Sequence, residues 1–161
     1  MDVQNAEETV GRRPSRISVA LQHALTSIHT FVYANTNGAI GGRMMNSPVL
    51  LLTTRGRKTN KRRTVPLLYL ADGDDLVLVA SNGGATKHPT WWLNLQSKPE
   101  AQIQVRGTKQ QVKAERASAE EKRRLWPSLV AMYPGYKKYQ EITNRDIPVV
   151  ILHPITDSVE K

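Results

Sequence analysis

Residues 50–80 read LLLTTRGRKTNKRRTVPLLYLADGDDLVLVA. Three apolar runs, at 50–53, 65–70 and 76–80, alternate with two polar turns. Apolar runs of this length, bounded by turn residues, predict three strands that follow one another in a meander. The second turn, at 71–75, is acidic and typical of an ordinary hairpin. The first turn is unusual in its charge, and the interpretation of the whole chain depends on it.

The first turn carries six cations and no acid. Gly56 and Asn60 are sufficient to form a hairpin tip, so the positive charge needs a separate explanation. Like charges this close repel one another and cost free energy unless an anion neutralises them. We interpret the turn as a binding site for an anionic ligand, most simply a phosphate; the alternative is a solvated tip that resists aggregation. The six cations are Arg55, Arg57, Lys58, Lys61, Arg62 and Arg63.

The composition is that of a globular protein with one core. The 161 residues are 39% hydrophobic and 23% charged, which suits a single domain. Because there is no cysteine, disulfides, Cys-ligated zinc, iron–sulfur clusters and a thiol nucleophile are excluded. The sequence has neither a secretory signal nor an apolar run of the roughly 20 residues that span a bilayer, so we expect a cytoplasmic protein. The net charge of +9 fits nucleic acid, an anionic membrane surface or a polyanionic cofactor as the partner.

The N-terminal region is predicted to hold a tail and one helix. Residues 1–13 are polar and predicted to be disordered, whereas 14–161 are predicted to form a single domain that begins with an amphipathic helix at 14–36. We expect this helix to pack on the domain. The alternative is peripheral contact with the cytoplasmic face of a membrane, which the arginines at 12, 13 and 16 would favour.

The rest of the chain predicts a small antiparallel barrel. Strands are predicted at 101–105, 110–116 and 147–152, a short helix at 90–95, and a second helix that begins with a capping box at Ser118–Glu121. Most connections are too short for parallel crossovers, so the sheet is expected to be mainly antiparallel. Six such strands curl most easily into a barrel with helices packed outside it. The fold class is therefore mainly β with flanking helices.

Several familiar catalytic patterns are absent. Residues 56–59 resemble the end of a P-loop, but Leu51 stands where the first glycine is needed and Arg57 precedes Lys58. The four histidines are scattered, so no metal site is predicted. A cationic turn, a glycine pair at 83–84, paired tryptophans and three spaced tyrosines remain, although tryptophans such as Trp91 and Trp92 are more often core residues than stacking platforms. This combination favours a protein that positions a cofactor and lets the cofactor do the chemistry.

A set of short segments between residues 44 and 152 resembles the deazaflavin-dependent nitroreductase family. These proteins are split β-barrel oxidoreductases, similar in fold to barrels that bind flavin mononucleotide (FMN), and use the deazaflavin coenzyme F420. The matching residues are 51–59, 66–67, 80–81, 83–85, 87, 89, 91, 93–95, 126–127, 129–130, 132–134, 136, 139–140 and 147–148.

The resemblance implies roles for individual residues. Cofactor binding is implied for Arg57, Lys58, Thr59, Arg63, Pro66, Leu67, Leu68, Ala80, Ser81, Asn82, Lys87, Trp91 and Asn94. Contact with the substrate is implied for Leu68, Tyr133, Tyr136 and Tyr139, and a catalytic role for Tyr133, Tyr136 and Ser81.

The resemblance also implies a reaction. The expected chemistry is hydride transfer from reduced F420 to a small electron-poor acceptor such as a quinone, enone or nitro compound. Leu68 stands where the family's best-known member has a tyrosine, and Asn82 where it has a lysine. The first difference weighs against reduction of bicyclic nitroimidazoles.

Two other functions are compatible with the same barrel. One is binding of FMN, although a single phosphate does not require six cations. The other is a non-enzymatic barrel that binds nucleic acid, but no strand with alternating aromatic residues accompanies the basic turn to provide stacking platforms. We therefore expect no nucleic-acid partner.

Overall fold

The computed structural model describes residues 47–156 and the backbone of 43–44. The tail predicted at 1–13 and the helix predicted at 14–36 lie outside this part of the chain. The strands are β1 (Arg43–Met44), β2 (Ser47–Arg55), β3 (Arg62–Leu68), β4 (Leu70–Asp72), β5 (Asp75–Val79), β6 (Glu100–Val105), β7 (Thr108–Arg116) and β8 (Val149–Pro154). The helices are α1 (Thr90–Ser97), α2 (Ala119–Met132) and α3 (Gly135–Ile142), and a short 3-10 turn spans Asn82–Gly84.

The strands form one antiparallel sheet that curls into a split barrel. From β3 the order runs β2, β6, β7, β8, β5 and β4, and each of these pairs is antiparallel. β3 and β4 stand at opposite ends of this order, yet only Tyr69 separates them in the chain. The sheet must therefore curl until its two ends meet. The predicted split barrel with flanking helices is confirmed.

The two faces of the sheet bury two separate cores, where the composition indicated a single one. Leu50 and Leu52 of β2 and Leu78 of β5 point into the barrel, where they pack with Trp91 and Trp92 of α1. The alternate residues of β5 and β8 point outward and are covered by α2 and α3. Because both faces are buried, these strands are continuously apolar in sequence. Within the described residues, no helix is long and apolar enough to cross a membrane.

The boundaries of several elements differ from the predicted ones. The apolar run at 65–70 is divided into β3 and β4 at Tyr69, where the barrel closes. The last strand begins at Val149 instead of residue 147, since Pro148 has no N–H to give to the ladder. α3 was not predicted, because it spans only eight residues and begins with glycine. The capping box of α2 is confirmed: Ser118 Oγ accepts from the Glu121 N–H at 3.1 Å, and the Ser118 N–H donates to Glu121 Oε2 at 2.8 Å.

Candidate functional site

The cationic turn between β2 and β3 is compact and internally hydrogen-bonded. The Gly56 N–H donates to the Lys61 carbonyl at 2.9 Å, and the Asn60 N–H donates to the Gly56 carbonyl at 2.7 Å. Asn60 adopts a left-handed conformation, with φ of 54°. A Cβ atom at Gly56 would lie 2.8 Å from Thr59 Oγ1, so a larger residue would displace the Thr59 side chain. The turn is thus a defined scaffold that presents its charged side chains outward.

A pocket of about 560 Å³ lies between this turn and α1. Its size falls within the range of small-molecule and cofactor sites, roughly 300–1,000 Å³. The turn and β3 supply one wall, and the first residues of α1 supply the other. We call it the cationic pocket. Its lining includes Arg57, Lys58, Thr59, Arg62, Arg63, Trp91 and Asn94, and also Thr54, Gly56, Thr64, Val65 and Thr90.

Asn94 fixes the position of the turn relative to α1. Its side chain is only 1% exposed, and its Oδ1 accepts a hydrogen bond from the Arg57 N–H at 3.1 Å. Its Nδ2 donates to Thr54 Oγ1, also at 3.1 Å. One buried amide therefore connects the helix to the end of β2 and to the start of the cationic turn.

The charge of the cationic pocket is not balanced by the described residues. None of the six cations of the turn forms an ion pair with a carboxylate within residues 47–156. Arg62 donates to the neutral Gln102 Oε1 at 2.9 Å, and Arg55 reaches the Asn60 carbonyl at 3.4 Å. Uncompensated cations around a pocket attract and hold anions. The arrangement can therefore bind phosphate or carboxylate groups.

Three tyrosines form a second cluster where α2 ends and α3 begins, and we call it the tyrosine cluster. The Tyr133 and Tyr139 hydroxyls share a hydrogen bond of 3.0 Å, and the rings of Tyr133 and Tyr136 meet edge to face at 4.9 Å. The ring of Tyr133 lies so close to Gly135 that a Cβ there would come within 2.5 Å of it. The break at Pro134-Gly135 thus allows the phenols to gather.

The phenols of Tyr133 and Tyr136 stay protonated at neutral pH. The hydrogen bond with Tyr139 raises the pKa of the Tyr133 phenol above its usual value, and burial adds to this. Burial also raises the pKa of Tyr136, because this side chain is only 5% exposed. A protonated phenol can donate a proton or a hydrogen bond to an acceptor. Tyr133 and Tyr139 are the more accessible of the three.

The segment between β5 and α1 lies beside the tyrosine cluster. Ala80 is fully buried in the barrel core, whereas Ser81 is half-buried and Asn82 is exposed. Asn82 Nδ2 donates to the Lys87 carbonyl at 3.0 Å and closes the loop. A Cβ at Gly84 would meet the Tyr139 backbone at 3.2 Å and the Ile142 side chain at 2.7 Å. The missing side chain at Gly84 is what permits α3 to pack there.

The predicted site residues are divided among three places. Six of them line the cationic pocket: Arg57, Lys58, Thr59, Arg63, Trp91 and Asn94. On β3, Leu67 faces the barrel core, whereas Leu68 packs outward on Val49 and Leu51, and Pro66 shares that outer face through its pairing with Leu51. The residues predicted at 80, 81, 82 and 87 lie outside the lining of the pocket, as do the tyrosines. The individual roles stay predictions.

Sequence reasoning missed some of the residues that build these places. Thr54 and Thr90 line the cationic pocket but are ordinary strand and helix residues in the sequence. Arg145 contacts the segment between β5 and α1, although more than fifty residues separate them in the sequence. A single arginine in a polar connection gives no signal of such a contact. The register of β2 and β3 would have identified Thr54, because it pairs with Arg63 on the same face.

Comparisons with known proteins identify sequence relatives of this chain. Residues 25–154 match the family model described as F420H(2)-dependent quinone reductase. An F420H(2)-dependent quinone reductase of Mycobacterium tuberculosis is 39% identical over 132 residues, which are 80% of this chain and 89% of that protein.

Two solved structures are similar over most of their own length. An F420-H2-dependent reductase, FDR-A, has a TM-score of 0.61 and 36% identity, and the match covers 66% of this chain and 94% of that one. A protein described as a domain-swapped dimer has a TM-score of 0.63 and 30% identity, covering 85% and 96%. The family match and the curated relative each cover most of the chain. This chain belongs to the F420H(2)-dependent quinone reductase family.

Proposed function

We propose that this protein transfers a hydride from reduced F420 to quinone-type acceptors. The observation that carries the proposal is the cationic pocket. Four of the six cations of the turn line it, and none of these four has a carboxylate partner among the described residues. Membership of the family supports the same reaction. Enones and nitro compounds are further acceptors of the same electron-poor type.

The chemistry of the pocket fits the cofactor. Coenzyme F420 joins its deazaflavin ring to a phosphate and to a tail of glutamates, so it presents several negative charges along one arm. A row of cations matches such an arm, and Arg57, Lys58 and Arg63 are the side chains that we assign to it. Charge-assisted hydrogen bonds to phosphate or carboxylate are about twice as strong as neutral ones. Thr59 adds a hydroxyl at the same wall.

The residues beyond the pocket are assigned to the ring and the acceptor. We assign the ring to β3, at Pro66 to Leu68, and to the segment at Ala80 to Asn82. When bound, the cofactor supplies the hydride from its C5 position. The chain needs only to align donor and acceptor at about 3–3.5 Å and to exclude water from the reacting atoms.

We assign to the tyrosine cluster the protonation of the reduced acceptor. A quinone that takes up a hydride becomes an oxyanion and needs a proton to form the hydroquinone. Tyr133 Oη carries a proton at neutral pH, as any phenol does, and the bond to Tyr139 raises its pKa further above neutrality. We assign to Tyr133 the donation of this proton or of a hydrogen bond to the developing oxyanion. Tyr139, held 3.0 Å away, then supports the phenolate that remains.

The proposal is tested by steady-state oxidation of reduced F420 with a soluble menadione-like quinone. We expect the absorbance of oxidised F420 to return only when protein and quinone are both present, with hydroquinone formed in equal amount. Reduced FMN and NADPH serve as alternative donors and should support little turnover. Turnover with reduced FMN that equals or exceeds turnover with reduced F420 would contradict the proposal.

A further inference from the structure

The connection between α3 and β8 holds the loop between β5 and α1. We call residues 80–88 the glycine segment. The Arg145 guanidinium donates from Nε to the Ala85 carbonyl at 2.8 Å and from Nη2 to the Ser81 carbonyl at 2.7 Å. Both Nη atoms also reach the Ala80 carbonyl at 3.3 Å. One side chain therefore contacts the glycine segment at its beginning and in its middle.

His88 adds a contact at the end of the glycine segment. Arg145 Nη1 lies 3.1 Å from His88 Nδ1. A guanidinium has donors and no acceptor, so Nδ1 must be the unprotonated nitrogen of a neutral ring. Burial first, and then the charges of Arg145 and Arg116, keep the pKa of His88 below its usual value, which agrees with a neutral ring. The guanidinium is thus satisfied by neutral acceptors.

The glycine segment needs an external support because its backbone is unusual. Asn82, Gly83 and Gly84 are consecutive and all have positive φ, at 47°, 63° and 78°. Glycine adopts this conformation without steric cost and asparagine does so less readily, so contacts from outside the segment help to hold Asn82 in place. Fixed carbonyls at residues 80, 81 and 85 enclose this turn on both sides.

Arg145 is itself held in place. Gln140 of α3 donates from Nε2 to the Arg145 carbonyl at 2.9 Å, and its Oε1 accepts from the Ile147 N–H at 3.0 Å. The arginine backbone is therefore tied to the same helix that carries Tyr136 and Tyr139. The glycine segment continues directly into Pro89 and α1, where Thr90 and Trp91 line the cationic pocket.

We propose that Arg145 is a positioning residue for the cofactor site. Its fork of donors sets the shape of the glycine segment, and through it the position of Ser81 and of the first turn of α1. The inference rests on the proposed function for the identity of the cofactor. Arg145 does not line the cationic pocket, and we assign to it no contact with cofactor or substrate.

The test compares Arg145→Lys with Arg124→Lys. A lysine keeps the charge but presents its donors from one point, so it cannot reach the separated carbonyls together. Arg124→Lys loses the same fork geometry at a site away from the glycine segment. There Arg124 Nη1 and Nη2 donate to the two carboxylate oxygens of Asp72 at 3.1 and 2.7 Å. Amide hydrogen exchange and titration with oxidised F420 are measured on both variants.

We expect residues 80–88 of Arg145→Lys to exchange at least about tenfold faster, since several charge-assisted bonds are lost, while β6 and β7 exchange as in the wild type. The dissociation constant for F420 should rise by a similar factor. Arg124→Lys should change neither quantity. Unchanged exchange in the glycine segment would overturn the inference, and so would faster exchange with unchanged affinity.

A second variant covers the case in which Arg145→Lys does not fold. His88→Phe keeps a ring but removes one acceptor of the guanidinium. We therefore expect a smaller increase in the amide exchange rate, confined to residues 80–88, together with weaker F420 binding. No change there would overturn the inference. Failure of the wild type to bind F420 would overturn the proposed function and the cofactor part of this inference, while the exchange data would still decide whether Arg145 holds the segment.

Discussion

The cationic pocket and the tyrosine cluster differ in charge and in exposure. The pocket is lined by exposed cations on a tight turn, and only Asn94 and Thr54 are buried polar residues at its base. The tyrosine cluster packs on the outer core of the barrel, and its ordering contact is one hydrogen bond between two phenols. The first surface is suited to affinity for an anion, and the second to the placement of a proton.

The difference teaches that binding and turnover should be separable in this protein. Charge acts over several ångströms, so the pocket tolerates small displacements of its side chains. A proton donor acts only within hydrogen-bond distance, so the tyrosine cluster depends on exact packing. Changes in the pocket should alter the dissociation constant, and changes in the tyrosine cluster should alter kcat.

The largest effect is expected from Tyr133→Phe. Removal of a donor aimed at a developing oxyanion is typically worth about 2.7–4 kcal/mol, so kcat should fall on the order of a hundredfold or more. Affinity for F420 should stay near that of the wild type. Steady-state kinetics with reduced F420 and a menadione-like quinone, beside an F420 titration, measures both.

Two further variants make this comparison specific. Tyr69→Phe removes a phenol that packs against the other core, and it should leave kcat unchanged. Gly135→Ala keeps every phenol but forces the Tyr133 ring to move, because the new Cβ would lie within 2.5 Å of it. Gly135→Ala should therefore reproduce much of the fall in kcat that is expected of Tyr133→Phe. A lower melting temperature with normal turnover in Tyr133→Phe would show that the phenol is only structural.

The next largest effect is expected from Lys58→Ala and Arg63→Ala. A charge-assisted contact is worth roughly 1.5–3 kcal/mol, so each dissociation constant for F420 should rise about ten- to a hundredfold. Added salt should weaken the wild type in the same direction, because it screens these charges. Lys109→Ala removes an exposed cation from β7 and is the matched control. Normal binding by both pocket variants would mean that the turn is merely a solvated tip.

Much of the fold and the cationic side of the pocket could be predicted from the sequence. The meander at 50–80 and the cationic turn are local patterns, so charge and apolar spacing were enough to locate them. The closure of the barrel at Tyr69 and the division of Leu67 and Leu68 between two faces depend on strand register, which only the folded sheet sets. The contacts of Arg145 and Asn94 join residues far apart in sequence, and no local pattern encodes them.

A smaller effect is expected from Asn94→Ala. The change leaves the Arg57 N–H and the Thr54 hydroxyl without their buried partner, which typically costs about 1–3 kcal/mol of the free energy of unfolding. The melting temperature should fall by several degrees, and F420 affinity should fall with it because the turn loses its anchor. Gln96→Ala, an exposed change on the same helix, is the control. Unchanged stability would contradict the anchoring role.

The smallest effect is expected from pH. Burial lowers the pKa of His88 in the folded protein below its usual 6.5, so the unfolded chain binds more protons in the interval between the two values. The free energy of unfolding should therefore rise with pH through that interval and level off above about 6.5. Urea unfolding at a series of pH values measures the slope, and His88→Phe should flatten it. If the free energy of unfolding of His88→Phe depends on pH as steeply as that of the wild type, groups other than His88 cause the dependence.

The most direct test of the account is a titration of the protein with oxidised F420 and, separately, with FMN, followed by fluorescence at low and at high salt. The account predicts that F420 binds at least about tenfold more tightly, because its phosphate and glutamates engage several cations, whereas FMN offers one phosphate. The advantage of F420 should shrink at high salt and in Lys58→Ala. Binding of FMN that equals or exceeds that of F420 would contradict the assignment of the cationic pocket.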